Sequence, residues 1–189
     1  LPAPPPAAAP IPELMTGEEF FRLYAHRHYE LVDGVPVETP MPSLRHGQVC
    51  TRIVRALDRF VEDGKLGQVM SNDTLIRTRR NPDRVRGPDV LFISFVRLPP
   101  GPAPDKLTDH VPELTVEVRS PTNDWSEIFT KVGEYLSVGV TAVVVLDPNT
   151  ATASVYRKED GQRVFGADEN LVLPDVLPGF STPVRSLFE

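Results

Sequence analysis

The sequence predicts a mixed α/β fold in which a central β-sheet is flanked by helices. Residues 141–147, "TAVVVLD", form a continuous apolar run of the kind found in central strands buried on both faces. Residues 44–63 repeat apolar side chains at helical spacing. Residues 29–38 place two alternating runs around Asp33-Gly34, a strong hairpin signal. This mixture of helices and strands is typical of a sheet with helical layers.

The first elements have recognisable boundaries. Thr16 and Glu19 form a capping box, which predicts a first helix beginning at Thr16. The hairpin of residues 29–38 follows, and Ser43 then caps a long helix that ends at Gly64. The predicted core stripe of this long helix consists of Val49, Ile53, Leu57 and Phe60.

Strands dominate the rest of the chain, with one further helix. We predict strands at about 66–70 and 74–79, then a polar loop, "RRNPDRVRG", and a strand, "PDVLFIS". A strand over 113–119 and a helix over 124–138, with Asp124 and Glu127 as a cap pair, precede the buried run 141–147. The segment "ATASVYRK" is predicted as an outer hairpin strand, and the C-terminal tail as a short strand and loop on the domain edge.

The length of 189 residues suits one domain with a sizeable core. We predict that residues 13–189 form this domain. Residues 1–12 contain six prolines and are expected to form a flexible, polyproline-like arm. The arm is either a solvated tail or a ligand for a proline-recognising partner.

Composition excludes several classes of protein. A single cysteine, Cys50, excludes an internal disulfide and fits a reducing compartment. Its helical apolar surroundings predict core packing, with a nucleophile role as the alternative. No apolar run approaches the roughly 18 residues of a membrane helix, and the N-terminus lacks the features of a secretory signal. We therefore expect a cytoplasmic protein without a membrane segment.

Charge gives only a local argument for nucleic-acid binding, because the net charge is -6 and the pI about 5.3. The local feature is a cluster of Arg77, Arg79, Arg80, Arg84 and Arg86. Arg77 and Arg79 are expected on one strand face, and a basic stripe of this kind suits a phosphate backbone. The alternative is a solvated loop whose arginines pair with nearby acids such as Asp73 and Asp83. The sequence contains no base-reading module such as a helix-turn-helix.

Two acidic residues lie on apolar strands. Asp89 opens one strand and Glu117 lies in the middle of another. If these strands are neighbours, the two carboxylates converge at one end of the sheet. Buried carboxylates repel each other, and a divalent cation relieves that repulsion. Hard oxygen ligands suit Mg²⁺ or Mn²⁺, and an ion held in this way can activate water for attack on a phosphodiester.

Two cations can serve this pair of acids. Arg119 shares the strand face of Glu117, because side chains alternate along a strand. Arginine stays protonated and cannot act as a general base, so Arg119 is a candidate for phosphate contact. Lys131 lies at the edge of the buried stripe of its helix, where its ammonium can reach the sheet end and orient the water. Trp125, at the helix start, either packs in the core or stacks on a base.

A set of short motifs recurs in a fixed order after the proline arm. They are "YELVDG" (29–34), "HG" (46–47), "GPDVLFIS" (87–94), "PELTVEVRSPT" (112–122), Lys131, Tyr135, "GV" (139–140), "VVVLDP" (143–148) and "LPGFSTPVRSLFE" (177–189). This set resembles the Uma-two-type family of endonucleases, a branch of the PD-(D/E)XK nuclease superfamily.

The resemblance implies a restriction-endonuclease-like fold with Mg²⁺ or Mn²⁺ as cofactor and without an organic cofactor. It implies that Asp89 and Glu117 are metal ligands, with the backbone carbonyl of Val118 as a third oxygen. Glu30 matches an acidic residue that reaches the metal through a water. His46 matches a histidine near the site, as a proton donor or a phosphate contact.

Position 119 departs from the family, which usually has an apolar residue there. Arg119 either holds phosphate or pairs with Glu117 and silences the site. Lys131 matches the lysine that this family places on the helix, so the resemblance and the helical pattern select the same residue.

The resulting hypothesis is a metal-dependent endonuclease that hydrolyses phosphodiester bonds in DNA. Arg119, Arg77, Arg79, Arg80 and Arg86 are its candidate phosphate contacts. A homodimer would provide one site per strand of a duplex. The alternative is a catalytically inactive nucleic-acid-binding or structural module of the same fold.

Each candidate residue also has a purely structural interpretation. Asp89 can cap a turn after Gly87-Pro88, and Glu117 can form an ion pair with Lys131 or Arg119. Glu30 can pair across the hairpin, and His46 can be solvated at the start of its helix.

Overall fold

The computed structural model describes residues 14–120 and 124–189. Its helices are α1 (Gly17–Tyr24), α2 (Leu44–Gly64) and α3 (Trp125–Val138), with a 3₁₀ helix at Val184–Leu187. Its strands are β1 (Tyr29–Val32), β2 (Val35–Glu38), β3 (Gly67–Ser71), β4 (Ile76–Arg79), β5 (Arg84–Arg86), β6 (Val90–Ser94), β7 (Leu114–Val118), β8 (Ala142–Asp147), β9 (Thr152–Arg157), β10 (Gly161–Phe165), β11 (Asn170–Val172) and β12 (Ser181–Pro183). The predicted arm, residues 1–12, lies outside the described residues.

The larger sheet has six strands in the order β10-β9-β8-β7-β6-β3. β7 and β8 are parallel and are joined by α3, whereas the other neighbours are antiparallel. Every residue of β8 is buried, as its apolar run predicts. The prediction of a mixed α/β fold with a central mixed sheet is confirmed.

Helices cover both faces of this sheet. Leu114, Val116 and Val118 of β7 pack in the core that α2 covers. Thr115 and Glu117, between them, face the opposite side of the sheet. That side is covered by Ile128, Val132 and Tyr135 of α3.

A smaller sheet has the order β2-β1-β5-β4. It packs against α1 through Phe20, Leu31 and Val85, each of which is fully buried. Strand β5 lies within the segment that we predicted to be a polar loop, and that prediction is wrong for residues 84–86. The strand forms because Val85 is buried opposite Leu31, while Arg84 and Arg86 on either side of it pair with carboxylates. A strand of three residues is too short to be recognised from alternation in the sequence.

The position of one strand differs from the prediction. Strand β9 is not an outer strand, because β10 pairs along its free side and forms the edge of the sheet. Residues 161–165 show no alternation of apolar and polar side chains, and four of the five are exposed. Helix α2 ends at Gly64, as predicted, and Lys65 after it adopts the left-handed conformation.

The predicted helix starts are confirmed. The side chain of Thr16 accepts a hydrogen bond from the backbone N–H of Glu19, whose carboxylate in turn accepts one from Thr16. Ser43 accepts from the N–H of His46 at the start of α2. In the described part of the chain, no helix is both long and apolar enough to cross a membrane.

Candidate active site

Strands β6 and β7 bring the two predicted metal ligands to one end of the larger sheet. The last residue pair between these strands is Val90 opposite Val116. One step further along the same antiparallel register, Asp89 lies opposite Glu117. The two acids therefore lie at the same end of the sheet, where Glu117 faces α3 and Asp89 contacts His46 of α2.

Asp89 is fixed by contacts from two elements. Its Oδ2 accepts a 2.6 Å hydrogen bond from the backbone N–H of Val118, and its Oδ1 lies 3.2 Å from Nε2 of His46. His46 reaches it from the first turn of α2. The hydrogen bond with Asp89 raises the pKa of His46 above its ordinary value, against the opposing effect of burial. His46 is thus protonated over a wider pH range than a free histidine.

Glu117 is buried, with 5% of its surface exposed. Its Oε1 accepts a 2.7 Å hydrogen bond from the hydroxyl of Tyr135, and its Oε2 lies 3.5 Å from Nζ of Lys131. Burial is the main cause that raises the pKa of Glu117, to about 7; Lys131 opposes this, whereas the charges of Asp89 and Glu30 add to it. The positive charge of Lys131 is therefore too little to offset the burial of Glu117 and the charges of its acidic neighbours, and the protonated form is favoured.

Lys131 joins Glu117 to Glu30. Its Nζ lies 2.8 Å from Oε1 of Glu30. Although burial acts in the opposite direction, the charges of Glu117 and Glu30 raise the pKa of Lys131 above its ordinary value. For Glu30, burial alone would raise the pKa, but the charges of Lys131 and Arg86 together hold this pKa below its usual range. Lys131 is therefore a hydrogen-bond donor here and not a general base.

A second set of contacts holds Glu30 in place. Its Oε2 accepts a 2.8 Å bond from Arg86, and its Oε1 accepts one from the backbone N–H of Gly87. Arg86 also donates twice to Glu134 of α3, at 2.7 and 2.8 Å, and Arg84 donates to the same carboxylate at 2.7 Å. This carboxylate–arginine chain attaches the smaller sheet to α3 and positions Lys131.

Sequence reasoning missed Tyr135 and Glu134 as site residues. Tyr135 is among the motifs that carry the family resemblance, but it was given no role in the site, although it lies four residues after Lys131 and so on the same helix face. Glu134 gave no comparable signal, because its partners are about 50 residues away in the chain.

The arginine cluster is paired with acids. Its ion pairs are Arg77 with Glu18, Asp83 and Asp109; Arg79 with Asp33; Arg80 with Asp109; Arg84 with Asp33 and Glu134; and Arg86 with Glu30 and Glu134. Only 4% of the Arg77 side chain and 9% of the Arg86 side chain are exposed, against 42% for Arg79 and 53% for Arg80. In this conformation the arginines pair with acids, which was the alternative to phosphate binding. Of the two acids named for that alternative, Asp83 is a partner of the cluster and Asp73 is not.

Arg119 does not form the ion pair with Glu117 that was one of its two predicted roles. Its Nη1 lies 3.2 Å from Oδ2 of Asp147 at the end of β8, and its guanidinium stacks over the ring of Trp125, 4.8 Å from the centroid. Glu117 receives its hydrogen bonds from Tyr135 and Lys131 instead.

A cluster of mixed ligands lies beside Asp89. Cys50 is one helical turn after His46, and its Sγ lies 3.5 Å from Nδ1 of that histidine. Ligand atoms of His46, Cys50 and Asp89 all lie within 4.8 Å of one another. Burial, followed by the charge of Asp89, raises the pKa of Cys50 far above its ordinary value, so the thiol is neutral and is not an activated nucleophile. Burial and the charge of Asp89 likewise raise the pKa of Asp73.

The residues at the sheet end fit a divalent cation. Asp89 and Glu117 offer hard oxygen ligands, and each is close enough to the other for the charge of Asp89 to raise the pKa of Glu117. A divalent cation between them would offset this repulsion and favour the ionised form of Glu117.

Comparison with known proteins agrees with the fold. The chain is similar to the crystal structure of a putative nuclease belonging to DUF820 from Anabaena variabilis ATCC 29413, with a TM-score of 0.77 and 20% sequence identity. The similarity covers 92% of this chain and 97% of the other, and it supports the restriction-endonuclease-like fold. No curated protein sequence matches the chain. The family model Uma2, described as "Putative restriction endonuclease", matches residues 18–185, and the chain belongs to this family.

Proposed function

We propose that this protein is a metal-dependent endonuclease that hydrolyses phosphodiester bonds in DNA. Membership of the Uma2 family supports a nuclease. The observation that carries the metal-dependent interpretation is the pair of carboxylates at one sheet end, buried Glu117 and partly buried Asp89, because burial and the charge of Asp89 raise the pKa of Glu117 to about 7. Asp89, Glu117 and the backbone carbonyl of Val118 are the proposed ligands of Mg²⁺ or Mn²⁺.

A bound divalent ion would supply positive charge at the scissile phosphate and lower the pKa of an attacking water. Lys131 carries the second part of the proposal. Its ammonium is anchored by Glu30 at 2.8 Å and directed toward Glu117 at 3.5 Å, so it can donate a hydrogen bond to the water or to a phosphate oxygen. The contacts of Glu30 with Lys131 and Arg86 favour a role in positioning Lys131. A link from Glu30 to the metal through a water remains a proposal.

His46 is the proposed proton donor to the leaving oxygen. Its raised pKa keeps it protonated closer to neutral pH, and its contact with Asp89 fixes the orientation of the ring. His46 contacts Asp89, and Lys131 contacts Glu117. The proposed proton donor and the lysine that orients the water are therefore held by different carboxylates of the pair.

DNA binding is proposed to use the more exposed arginines. Arg79 and Arg80 have roughly half of their side chains exposed, and a phosphate would compete there with Asp33 and Asp109. Arg77 and Arg86 were also predicted to hold phosphate, but their burial favours a structural role unless the substrate rearranges them. Arg119, held by Asp147 and Trp125 near the end of β7, remains the proposed contact closest along the chain to Glu117.

A homodimer remains our proposal for cutting both strands of a duplex, because each chain has one such site. The inactive-module alternative rested on pairing between Arg119 and Glu117. Their actual partners, Asp147 for the arginine and Tyr135 with Lys131 for the glutamate, leave that alternative without its main support.

The decisive experiment compares cleavage by the wild type and by Glu117→Gln. Duplex and single-stranded DNA and RNA are incubated with the full chain in Mg²⁺, in Mn²⁺ and in a chelator. We expect metal-dependent cleavage of DNA by the wild type, and a loss of at least roughly 100-fold in the variant, because the substitution removes a metal ligand.

Glu127→Gln is the matched control, since Glu127 is an exposed glutamate on α3. It should retain wild-type activity after the same purification. Equal residual cleavage in all three proteins would indicate a contaminating nuclease and would refute the proposal.

A further inference from the structure

The cluster of His46, Cys50 and Asp89 contains ligand types that the carboxylate pair does not use. His46 and Cys50 are four residues apart on α2, so their side chains lie on one helix face. Sγ of Cys50 lies 3.5 Å from Nδ1 of His46, and Oδ1 of Asp89 lies 3.2 Å from Nε2 of the same ring. The imidazole thus lies between a thiol and a carboxylate.

These three side chains are close enough together to surround one zinc ion. With zinc–sulfur bonds of about 2.3 Å and zinc–nitrogen bonds of about 2.0 Å, neighbouring ligand atoms in a tetrahedral site are separated by roughly 3–4 Å. The three ligand atoms here lie within 4.8 Å of one another. Turning the imidazole so that one nitrogen faces both neighbours would complete a three-ligand site, with a fourth position open to water.

Asp89 separates the two sets of ligands. Its Oδ2 is directed to the backbone of Val118, on the strand that bears Glu117, and its Oδ1 is directed to His46. Hard oxygen atoms surround the first position, whereas the second adds sulfur and imidazole nitrogen. Ions such as Zn²⁺ and Co²⁺ accept these softer ligands, but Mg²⁺ does not favour them.

We propose that His46, Cys50 and Asp89 form a second divalent-metal site that binds Zn²⁺ and that shares Asp89 with the carboxylate pair. Zn²⁺ in this site occupies the imidazole of His46 and places positive charge beside the Mg²⁺ position. Both effects reduce Mg²⁺-dependent cleavage, so Zn²⁺ is an inhibitor of the enzyme. The binding site stands on the geometry alone, whereas the inhibitory effect rests on the proposed nuclease function.

Cobalt absorption tests the binding site directly. The full chain, reduced with a non-chelating phosphine, is titrated with Co²⁺, and the near-ultraviolet band of thiolate-to-cobalt charge transfer is recorded. The sequence contains one cysteine, so a thiolate band can arise only from Cys50. We expect a band that saturates at one ion per chain in the wild type, is displaced by Zn²⁺ and is absent in Cys50→Ala.

A second variant distinguishes a built site from an isolated thiol. His46→Gln retains the thiol but lacks the imidazole, and it should weaken Co²⁺ binding at least roughly tenfold. His26→Gln is the control, because His26 is exposed between α1 and β1 and is not a member of the cluster. The site is refuted if the wild type shows no thiolate band in excess Co²⁺, or if His46→Gln binds as tightly as the wild type.

Cleavage assays test the inhibitory effect. Cys50→Ala should cleave DNA in Mg²⁺ as the wild type does, while requiring at least roughly tenfold more Zn²⁺ for half-inhibition. Equal sensitivity of the two proteins to Zn²⁺ would overturn the inhibitory role. If the wild type does not cleave at all, the proposed nuclease function fails, and the cobalt titration still decides whether the second site exists.

Discussion

Glu117 is the residue at which stability and the proposed chemistry oppose each other. The side chain is buried beside Asp89 and Glu30, and Lys131 with the hydroxyl of Tyr135 supplies only part of what an ionised carboxylate needs. A neutral residue would suit the metal-free fold better. Under the proposed function, a cation bound beside Asp89 would offset this cost and favour the ionised form of Glu117.

This conflict predicts the pH dependence of the variant Glu117→Gln. Burial raises the pKa of Glu117 from 4.5 to about 7, so between these values the folded protein keeps a proton that the unfolded chain has released. The ionised group therefore destabilises the fold increasingly as pH rises through this window, and the penalty is complete above about pH 7. Without metal, the variant should be more stable than the wild type by on the order of 1–3 kcal/mol at about pH 8.

Thermal unfolding in the presence of a chelator measures this difference. The gain should disappear at about pH 4, where both states hold the proton, and Glu127→Gln should show no such trend. Mg²⁺ should raise the melting temperature of the wild type and leave that of Glu117→Gln nearly unchanged. A gain of the same size at both pH values would contradict this explanation.

At the scale of elements, α3 is the part that assembles the site. Lys131, Glu134 and Tyr135 project from successive turns of one helix toward Glu30, Arg86 and Glu117 respectively. The spacing of three and four residues keeps them on adjoining faces. The same helix packs on the sheet through Ile128 and Val132, so its core contacts and its polar contacts fix each other.

Glu134 is the residue of α3 whose loss should weaken the attachment of the smaller sheet. Its carboxylate binds Arg84 and Arg86, and the side chains of Glu134 and Arg86 are about nine-tenths buried. Removing one partner of a buried ion pair leaves the other charge unpaired and typically costs about 3–5 kcal/mol. We expect Glu134→Gln to lower the free energy of unfolding by about 3 kcal/mol in urea denaturation.

The exposed Glu127 again provides the control on the same helix, because its replacement by glutamine removes one acidic side chain from the first turn and should lower the free energy of unfolding by less than about 1 kcal/mol. Similar small effects of both substitutions would mean that the carboxylate–arginine chain contributes little to the docking of the smaller sheet.

The sequence predicted those elements and residues whose signals are local. Strand β8 is recognisable from its unbroken apolar run, α2 from its stripe and cap, and Asp89 with Glu117 from acids on apolar strands. Strand β5 and the partners of Arg84 and Arg86 could not be predicted in this way. Their arrangement depends on carboxylates that the tertiary fold brings from distant parts of the chain.

At the scale of the whole molecule, the larger sheet separates two cores. The core on the α2 side contains Val49, Ile53 and Leu57, and it continues to the C-terminal strands and the 3₁₀ helix. The core on the α3 side supports the candidate active site. The layer formed by α2 therefore contributes much of the buried core, while its N-terminal part, with His46 and Cys50, reaches the candidate site.

Leu57 tests this division. Its side chain is fully buried in the α2 core, whereas Leu44, on the same helix, is 96% exposed. Leu57→Ala should lower the free energy of unfolding by about 2–5 kcal/mol through lost burial and the cavity that remains. Leu44→Ala should change it by less than about 0.5 kcal/mol. Comparable effects in chemical denaturation would refute the assignment of Leu57 to the main core.

The stacking of Arg119 on Trp125 has a practical consequence for spectroscopy. Trp125 is the single tryptophan of the chain, so all indole fluorescence of the protein originates from a ring at the start of α3, next to the strand that bears Glu117. The molecule thus carries an intrinsic optical reporter at the edge of its candidate active site. Events that shift the guanidinium from the ring are readable in emission without any attached dye.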